Sequence, residues 1–287
     1  MGLGFAFLAI ISWGVGDFLI QKSARRFGDW LALFFITAFA TVALTPFVIG
    51  NLKNLVNNGA GLIVLIMASL LILVAGLLDF EALKKGKLSI IEPIYTFEII
   101  VTTALAWILI GEKLAPLELF LIVSIVGGIF LISTKSAGDW KIKNLEKGAI
   151  LAIAATTLMG GVNFLYGYGS RLTDPLMINW FTSLFMAVVT GCYLIYNNQL
   201  KALTTNWRDH KKLIFSAGLF DAMAWASYAF AMLYLPIAIA TSITETYIVL
   251  ASGLGIIFNK EKLKKHQWLG FAITIIAAIT LAFIAEK

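Results

Sequence analysis

Long apolar runs are the feature of this sequence that most constrains its fold. A helix needs roughly 20 mostly apolar residues to cross the hydrocarbon core of a bilayer, and runs of this length recur along the whole chain. The polar connections between them are too short to form a soluble domain. The sequence therefore predicts an all-α membrane protein with ten transmembrane helices, at approximately residues 2–20, 30–50, 61–83, 88–110, 117–134, 148–170, 175–196, 212–234, 237–258 and 267–285.

The composition agrees with a protein that lipid surrounds. Of the 287 residues, 60% are hydrophobic and 13% are charged, whereas a soluble domain carries roughly 25% charged residues. The net charge of +6 lies in short loops between apolar runs, where basic residues set orientation. We therefore expect the lipid bilayer as a partner, and no nucleic acid. Because His210 and His266 lie in polar connections, we expect no metal site, and we expect no cofactor.

The distribution of basic residues predicts the orientation of the chain. Ten spans place both termini on one side, and the loops of that side hold only Lys53, Lys113, Arg171 and the terminal Lys287. All the other Lys and Arg residues, of 22 in the chain, lie in the loops of the opposite side. Because cytoplasmic loops are enriched in Lys and Arg, we expect a multi-pass protein of the plasma membrane with its termini outside.

The second half of the chain repeats the first. Gly111-Glu112-Lys113-Leu114 follows the fourth run, and Lys260-Glu261-Lys262-Leu263 follows the ninth. Near the front of each half, Gly14–Leu19 parallels Gly160–Leu165. Aligning Glu112 with Glu261 also aligns the third run with the eighth and the fifth with the tenth.

This repetition predicts two units that enter the membrane in opposite senses. We assign residues 1–134 to a first five-helix repeat, 135–147 to a connecting loop and 148–287 to a second five-helix repeat. An odd number of spans in each unit makes the repeat inverted. Inverted repeats give secondary transporters a site near the bilayer midplane and two states of alternating access, although some channels also contain one.

Acidic residues inside the apolar runs are candidate functional residues. An acid at the centre of a spanning helix costs roughly 2.5–3.5 kcal/mol on insertion scales, so such residues usually face a cavity or a partner. Glu98, Asp221 and Glu245 lie well inside their runs, whereas Asp17 and Asp79 lie near basic ends. Because burial disfavours an ionised carboxyl, we predict that these five acids couple substrate movement to a proton. Coupling to another ion, such as sodium, is an alternative that the sequence leaves open.

Helical spacing groups these acids with aromatic and polar side chains. Asp221, Trp225 and Tyr228 share one face of the eighth run. An acid beside two rings suits an organic cation, through charge pairing and cation–π attraction of roughly 0.5–2 kcal/mol per ring. The alternative is an ordinary aromatic packing stripe. The predicted substrate-binding residues are Asp221, Trp225, Tyr228, Glu245, Glu98, Tyr95 and Asn163.

Three segments carry a family resemblance. They are Trp13-Gly14, the Pro93-containing fourth run with Gly111–Leu114 after it, and Gln267–Gly270 at the start of the last run. Together they resemble the ten-helix EamA-type branch of the drug/metabolite transporter superfamily, over nearly the whole chain. The resemblance implies a substrate carrier with a central cavity, driven by exchange or by an ion gradient. It does not name the cargo, because such carriers move amino acids, sugars, nucleotide sugars, amines and drugs.

This sequence departs from the family pattern in its second half, and its fourth and eighth runs hold more acids than the resemblance leads us to expect. Asn259-Lys260 stands where a Gly usually precedes Glu261. Family members are often drawn with cytoplasmic termini, whereas the loop charges of this chain predict termini outside.

The combined prediction is a secondary active transporter. It moves a small polar or cationic metabolite by alternating access, with proton coupling or by exchange. One alternative is an exporter of neutral amino acids or similar metabolites, in which the acids serve only proton coupling. A channel and an intramembrane enzyme are alternatives of other classes. We expect no enzymatic activity, because no His lies in an apolar run and no nucleophile has a base at helical spacing.

Overall fold

The computed structural model is a bundle of antiparallel helices. It describes residues 1–85, 94–134, 147–250 and 264–285. The helices of the first half are α1 (Gly2–Phe27), α2 (Asp29–Val48), α3 (Leu52–Asn57), α4 (Gly59–Lys85), α5 (Glu98–Ile110) and α6 (Pro116–Ser133), with a 3₁₀ turn at Ile49–Asn51. The helices of the second half are α7 (Lys147–Leu172), α8 (Pro175–Tyr196), α9 (Leu200–Tyr234), α10 (Ile237–Thr244) and α11 (Lys265–Ala285).

The helices have the length and surface of membrane spans. Eight of those described are long and apolar enough to cross a bilayer, and two shorter apolar helices lie at Glu98–Ile110 and Ile237–Leu250. Large apolar side chains such as Val42, Trp107 and Phe120 are exposed on the outside of the bundle, where lipid would solvate them. The prediction of an all-α, multi-pass membrane protein is confirmed. The count of ten spans stays a prediction, because both shorter helices border stretches outside the described residues.

The inverted repeat is visible in how the helices pair. The first and third long helices of each half exchange partners, so that α1 packs on α9 and α4 packs on α7. The remaining helices pack on their counterparts, α2 on α8 and α6 on α11. The α1–α9 pair is antiparallel, since Gly2 lies against Leu235 at one end and Phe27 stacks on His210 at the other. The boundaries of the two repeats, near residues 134 and 148, stay a prediction.

Two glycines bring α6 and α11 into close contact. A Cβ atom at Gly270 would lie 2.5 Å from the carbonyl oxygen of Gly128. One turn earlier, the Gln267 side chain donates a hydrogen bond to the carbonyl of Ile132, at 2.8 Å. The Gln267–Gly270 segment, which carries part of the family resemblance, therefore holds the last helices of the two halves together.

The fourth and ninth helical segments are each broken at the same position of the repeat. The chain turns at Thr96–Phe97, just before α5, and at Glu245–Thr246, just after α10. The alignment of Glu112 with Glu261 pairs these two turns residue for residue. Broken helices of this kind line the substrate and ion sites of transporters, because their ends carry unpaired backbone dipoles into the membrane.

The two breaks also share their backbone hydrogen bonds. The Phe97 N–H donates to the carbonyl of Ile94 at 3.0 Å, and the Thr246 N–H donates to the carbonyl of Ile243 at 3.1 Å. Each bond spans three residues instead of the four of an α-helix. The repeat is thus retained in local backbone structure where the side chains of the two halves differ.

Candidate functional site

A cavity of about 210 Å³ lies next to both helix breaks. Residues from both halves enclose it, as expected for a site at the interface between inverted repeats. Its volume lies below the roughly 300–1,000 Å³ of pockets for drug-sized ligands, so the cavity in this state suits a small molecule. The lining residues are Trp13, Ala75, Tyr95, Glu98, Ala155, Thr156, Met159, Asn163, Trp225, Glu245 and Tyr247.

The breaks deliver two carboxyl groups to this cavity. Glu98 lies in the first turn of α5, and Glu245 follows directly after the last residue of α10. Glu245 is buried, with 7% of its surface exposed. The carbonyl end of a helix attracts cations and its amide end attracts anions, so the surroundings of Glu245 add to the attraction of its own carboxylate for a cation.

Aromatic rings form one wall of the cavity, and Trp13 is at their centre. The ring centroid of Trp13 lies 5.4 Å from that of Trp225, edge to face, and 5.7 Å from that of Tyr247. Trp225 also packs against Tyr166, at 4.6 Å. Trp13 comes from the first half and Trp225 and Tyr247 come from the second, so the wall spans the boundary between the repeats.

Asn163 supplies a hydrogen-bond donor to the same cavity. It is 3% exposed, and its Nδ2 atom has no hydrogen-bond partner among the described residues. One turn earlier, Gly160 lets α7 approach α5 closely, because a Cβ there would lie 2.9 Å from the carbonyl oxygen of Glu98. The Thr102 hydroxyl spans this contact and donates to the carbonyl of Gly160, at 3.1 Å.

Five of the predicted substrate-binding residues line the cavity: Glu98, Tyr95, Asn163, Trp225 and Glu245. Tyr228 is fully buried behind Trp13, and its hydroxyl hydrogen-bonds that of Thr241 at 2.7 Å. Tyr228 therefore supports the aromatic wall from behind.

The other predicted acids lie elsewhere. Asp221 is one turn before Trp225 on α9, partly exposed, and is not among the described lining residues. The side chains of Asp17 in α1 and Asp79 in α4, together with the whole of Pro93, lie outside the described part of the structure. Among the described residues, no group of three or more His, Cys, Asp or Glu residues is placed to hold a metal ion.

Two aromatic lining residues, Trp13 and Tyr247, were not predicted as site residues. Trp13 carries part of the family resemblance, and it lies in the middle of a span, where Trp is less common than at the membrane interfaces. Tyr247 is the residue that the repeat alignment pairs with Glu98. Applying the repeat to each candidate site residue would have identified it.

Among the described residues, an ionic contact joins the two halves outside the cavity. The Glu112 carboxylate accepts hydrogen bonds from the Arg171 guanidinium at 3.0 Å and from the backbone N–H groups of Ile237 and Ala238 at 2.9 and 3.2 Å. The same guanidinium donates to the carbonyl of Leu235 at 2.9 Å. A first-half carboxylate thus caps the start of α10, and Arg171 binds the end of α9.

Comparison with known proteins finds one matching family and solved structures of the same fold. A family model described as the EamA-like transporter family matches residues 1–134 and 146–283. Among 29 matching chains of solved structures, one crystal structure superposes with a TM-score of 0.74, at 15% sequence identity, over 99% of this chain and 97% of its own. At that identity the likeness concerns the fold alone. No curated protein matches the sequence.

Proposed function

The chain belongs to the EamA-like transporter family, and we propose that it is a secondary active transporter for a small polar or cationic metabolite. Members of the family are membrane transporters of the drug/metabolite superfamily type. The observation that carries the proposal is the cavity where both broken helices, two carboxyl groups and four aromatic rings meet. A cavity shared by two inverted repeats is where a carrier binds its substrate.

The chemistry of the cavity favours a cation. Glu98 and Glu245 contribute negative charge, and Trp13, Tyr95, Trp225 and Tyr247 offer aromatic rings to the same space. Cation–π attraction reaches about 2 kcal/mol or more where water is excluded, and a carboxylate adds charge pairing. An ammonium group of a small metabolite satisfies both kinds of contact.

A neutral substrate is the second candidate. Ala75, Ala155 and Met159 form an apolar part of the lining, which suits an alkyl side chain of an amino acid or similar metabolite. In that case Glu98 and Glu245 carry protons and the substrate stacks on the rings. The two candidates differ in how binding changes when either carboxyl is neutralised.

Proton exchange follows from the two cavity carboxyls. A cation and a proton compete for the same carboxylate, so binding of one releases the other without a separate ion site. The titratable groups that line the cavity are Glu98, Glu245, Tyr95 and Tyr247. Asp221, Asp17 and Asp79 remain predicted coupling residues.

Alternating access requires one end of the bundle to open at a time. The contact between Glu112 and Arg171 holds α9, α10 and the first half together at the end where Gly2 meets Leu235. Opening this end would separate the carboxylate from the guanidinium. The two breaks, beside Glu98 and Glu245, are the positions where α5 and α10 would change direction.

Orientation and location are part of the proposal. We propose that the protein lies in the plasma membrane, and the loop charges favour termini outside. A reporter tag at each terminus of the full chain in intact cells tests this. Tags accessible from outside agree with it, and tags accessible only after the cells are permeabilised contradict it.

A ligand screen tests the substrate class. The purified protein in detergent is melted with amines, quaternary ammonium ions, amino acids, sugars and nucleotides at two pH values. A ligand at a hundredfold excess over its dissociation constant stabilises by roughly 2.7 kcal/mol. We expect cations to raise the melting temperature of the wild type and of Glu118→Gln, a control outside the cavity, but not that of Glu245→Gln. Stabilisation by neutral amino acids alone would favour the second candidate.

A further inference from the structure

A second cavity lies between the end of α1 and the middle of α9, away from the end of α9 that Arg171 binds. Its volume is about 390 Å³. We propose that it binds a phosphate group, carried by an anionic lipid headgroup or free in solution. The residues that line it come from the end of α1 and the middle of α9, and they are Lys22, Arg26, Arg208, Asp209, His210, Lys211, Lys212 and Leu213.

The charges of this basic cavity point to an anion. Five of the lining side chains are Lys or Arg, and Asp209 is the single carboxylate among them. Asp209 pairs with its neighbour Arg208, Oδ1 to Nε at 3.1 Å, in an exposed position. The remaining cations of the cavity have no carboxylate partner among the described ion pairs. Cations gathered around one concave space repel each other, and a bound anion relieves that repulsion.

The fold builds the cavity at a kink. His210 has non-helical backbone angles, φ −127° and ψ 25°, inside the long helix α9. The ring of Phe27, the last residue of α1, stacks on the His210 ring at 5.9 Å and 22°. This contact joins the end of α1 to the kink. Lys22 and Arg26, one helical turn apart, therefore face the residues that follow His210 across the same space.

The helical segment that continues beyond the kink adds to the attraction of the cavity for an anion. Lys211, Lys212 and Leu213 begin the part of α9 that runs into the apolar bundle, and all three line the cavity. The amide end of a helical segment attracts anions, and phosphate groups are common ligands there. The basic side chains and the helix end thus both favour the binding of an anion.

Aromatic residues place the cavity at the height of lipid headgroups. Trp30, at the start of α2, stacks on Tyr193 near the end of α8, with ring centroids 3.7 Å apart. Trp207, which directly precedes the lining residue Arg208 on α9, is 48% exposed. Trp and Tyr concentrate at membrane–water interfaces, and basic pockets between membrane helices at that level bind anionic headgroups.

Binding to matched lipids and salts separates the two sources of phosphate. Purified protein in neutral detergent is titrated, at constant ionic strength, with short-chain phosphatidylglycerol, with phosphatidylcholine of equal chain length, and with inorganic phosphate against chloride. The readout is the melting temperature, together with lipid adducts in native mass spectrometry. The cavity variant is Arg26→Gln with Lys212→Gln, and a second is Lys22→Gln with Lys211→Gln. The control, Lys201→Gln with Lys265→Gln, removes the same charge from exposed sites outside the cavity.

We expect phosphatidylglycerol to bind the wild type and the control with similar affinity. It should bind each cavity variant with an affinity lower by about tenfold or more, because each basic residue near an anionic headgroup contributes roughly 1 kcal/mol. If inorganic phosphate stabilises the wild type, the lipids do not, and both cavity variants lose this stabilisation, the free anion is the ligand. Equal loss in the cavity and control variants would overturn the proposal, because the binding would then follow net charge. The proposal would also be overturned if the protein bound phosphatidylglycerol no better than phosphatidylcholine and if phosphate did not change its melting temperature.

Discussion

The carboxylate of Glu112, in the loop after α5, lies 3.0 Å from the guanidinium of Arg171, at the end of α7. This contact crosses the boundary between the two repeats. The Glu112 side chain is 11% exposed, against 31% for Arg171, so the carboxylate is mostly removed from water. It also accepts both of the first N–H groups of α10, which would otherwise lack partners at a helix start.

Replacing Glu112 should therefore destabilise the bundle. Glu112→Ala removes the ion pair and two backbone hydrogen bonds, and hydrogen bonds to a charged group contribute about 1.5–3 kcal/mol each. We expect a loss of about 2–4 kcal/mol in stability, seen as a lower melting temperature in detergent. Glu118→Ala removes only an exposed helix cap and should cost about 1 kcal/mol. Equal shifts in the two variants would contradict a special role for Glu112.

Two neighbouring glycines of α6 should differ in their tolerance of a methyl group. A Cβ at Gly128 would lie 2.9 Å from the carbonyl oxygen of Gly270, whereas a Cβ at Gly127 meets nothing within 4 Å. Overpacking costs about 1–3 kcal/mol, so Gly128→Ala should lower the melting temperature. Gly127→Ala should be neutral or slightly stabilising, because Ala favours a helix over Gly by about 1 kcal/mol. If both variants melt alike, the close approach of α6 and α11 is wrong.

Asn163 should contribute to binding more than to stability. Its Nδ2 atom is buried without a hydrogen-bond partner among the described residues, which costs free energy, so Asn163→Leu should melt at the same or a higher temperature. A substrate that accepts a hydrogen bond from this amide should bind about tenfold more weakly to the variant. Unchanged affinity in a variant of normal stability would show that the amide does not contact the substrate.

Cation binding should strengthen as the pH rises. In the proposed mechanism a cation and protons compete for the carboxylates of Glu98 and Glu245, so lowering the pH is expected to remove the negative charge that the cation needs. Titrations of a bound amine at several pH values should show this trend in the wild type. The trend should be weaker in Glu98→Gln and Glu245→Gln. A cation affinity that does not depend on pH in the wild type would contradict exchange at these residues.

The sequence predicts the bounds of a span well where contact with lipid is what determines its composition. A span must be apolar over about 20 residues, so α8 was predicted at its observed bounds. Hydropathy gave only the apolar part of α9, residues 212–234, whereas the helix begins at Leu200 and continues through polar residues with a kink at His210. Contacts such as that of Phe27 with His210 hold the polar part of α9 against α1, and hydropathy does not report them.

The cavity was harder to predict, because helix rotation depends on packing. Spacing placed Asp221 and Trp225 on one helix face, but only Trp225 lines the cavity among the described residues. Gly16 of α1 packs against Phe220 and the backbone of Asp221, and such contacts set the rotation of α9. The breaks at Thr96–Phe97 and Glu245–Thr246 were also not predicted, since they lie inside apolar runs that read as continuous helices.

Flux through the protein tests the central claim most directly. Proteoliposomes loaded with a small amine that stabilises the protein are placed in a pH gradient with the outside acidic, and amine efflux and lumenal pH are recorded together. We predict amine efflux with proton uptake in the wild type and in Glu118→Gln, and neither in Glu98→Gln with Glu245→Gln. Efflux that continues without proton movement, or that survives neutralisation of both cavity carboxyls, would contradict transport of a cation by exchange at this site.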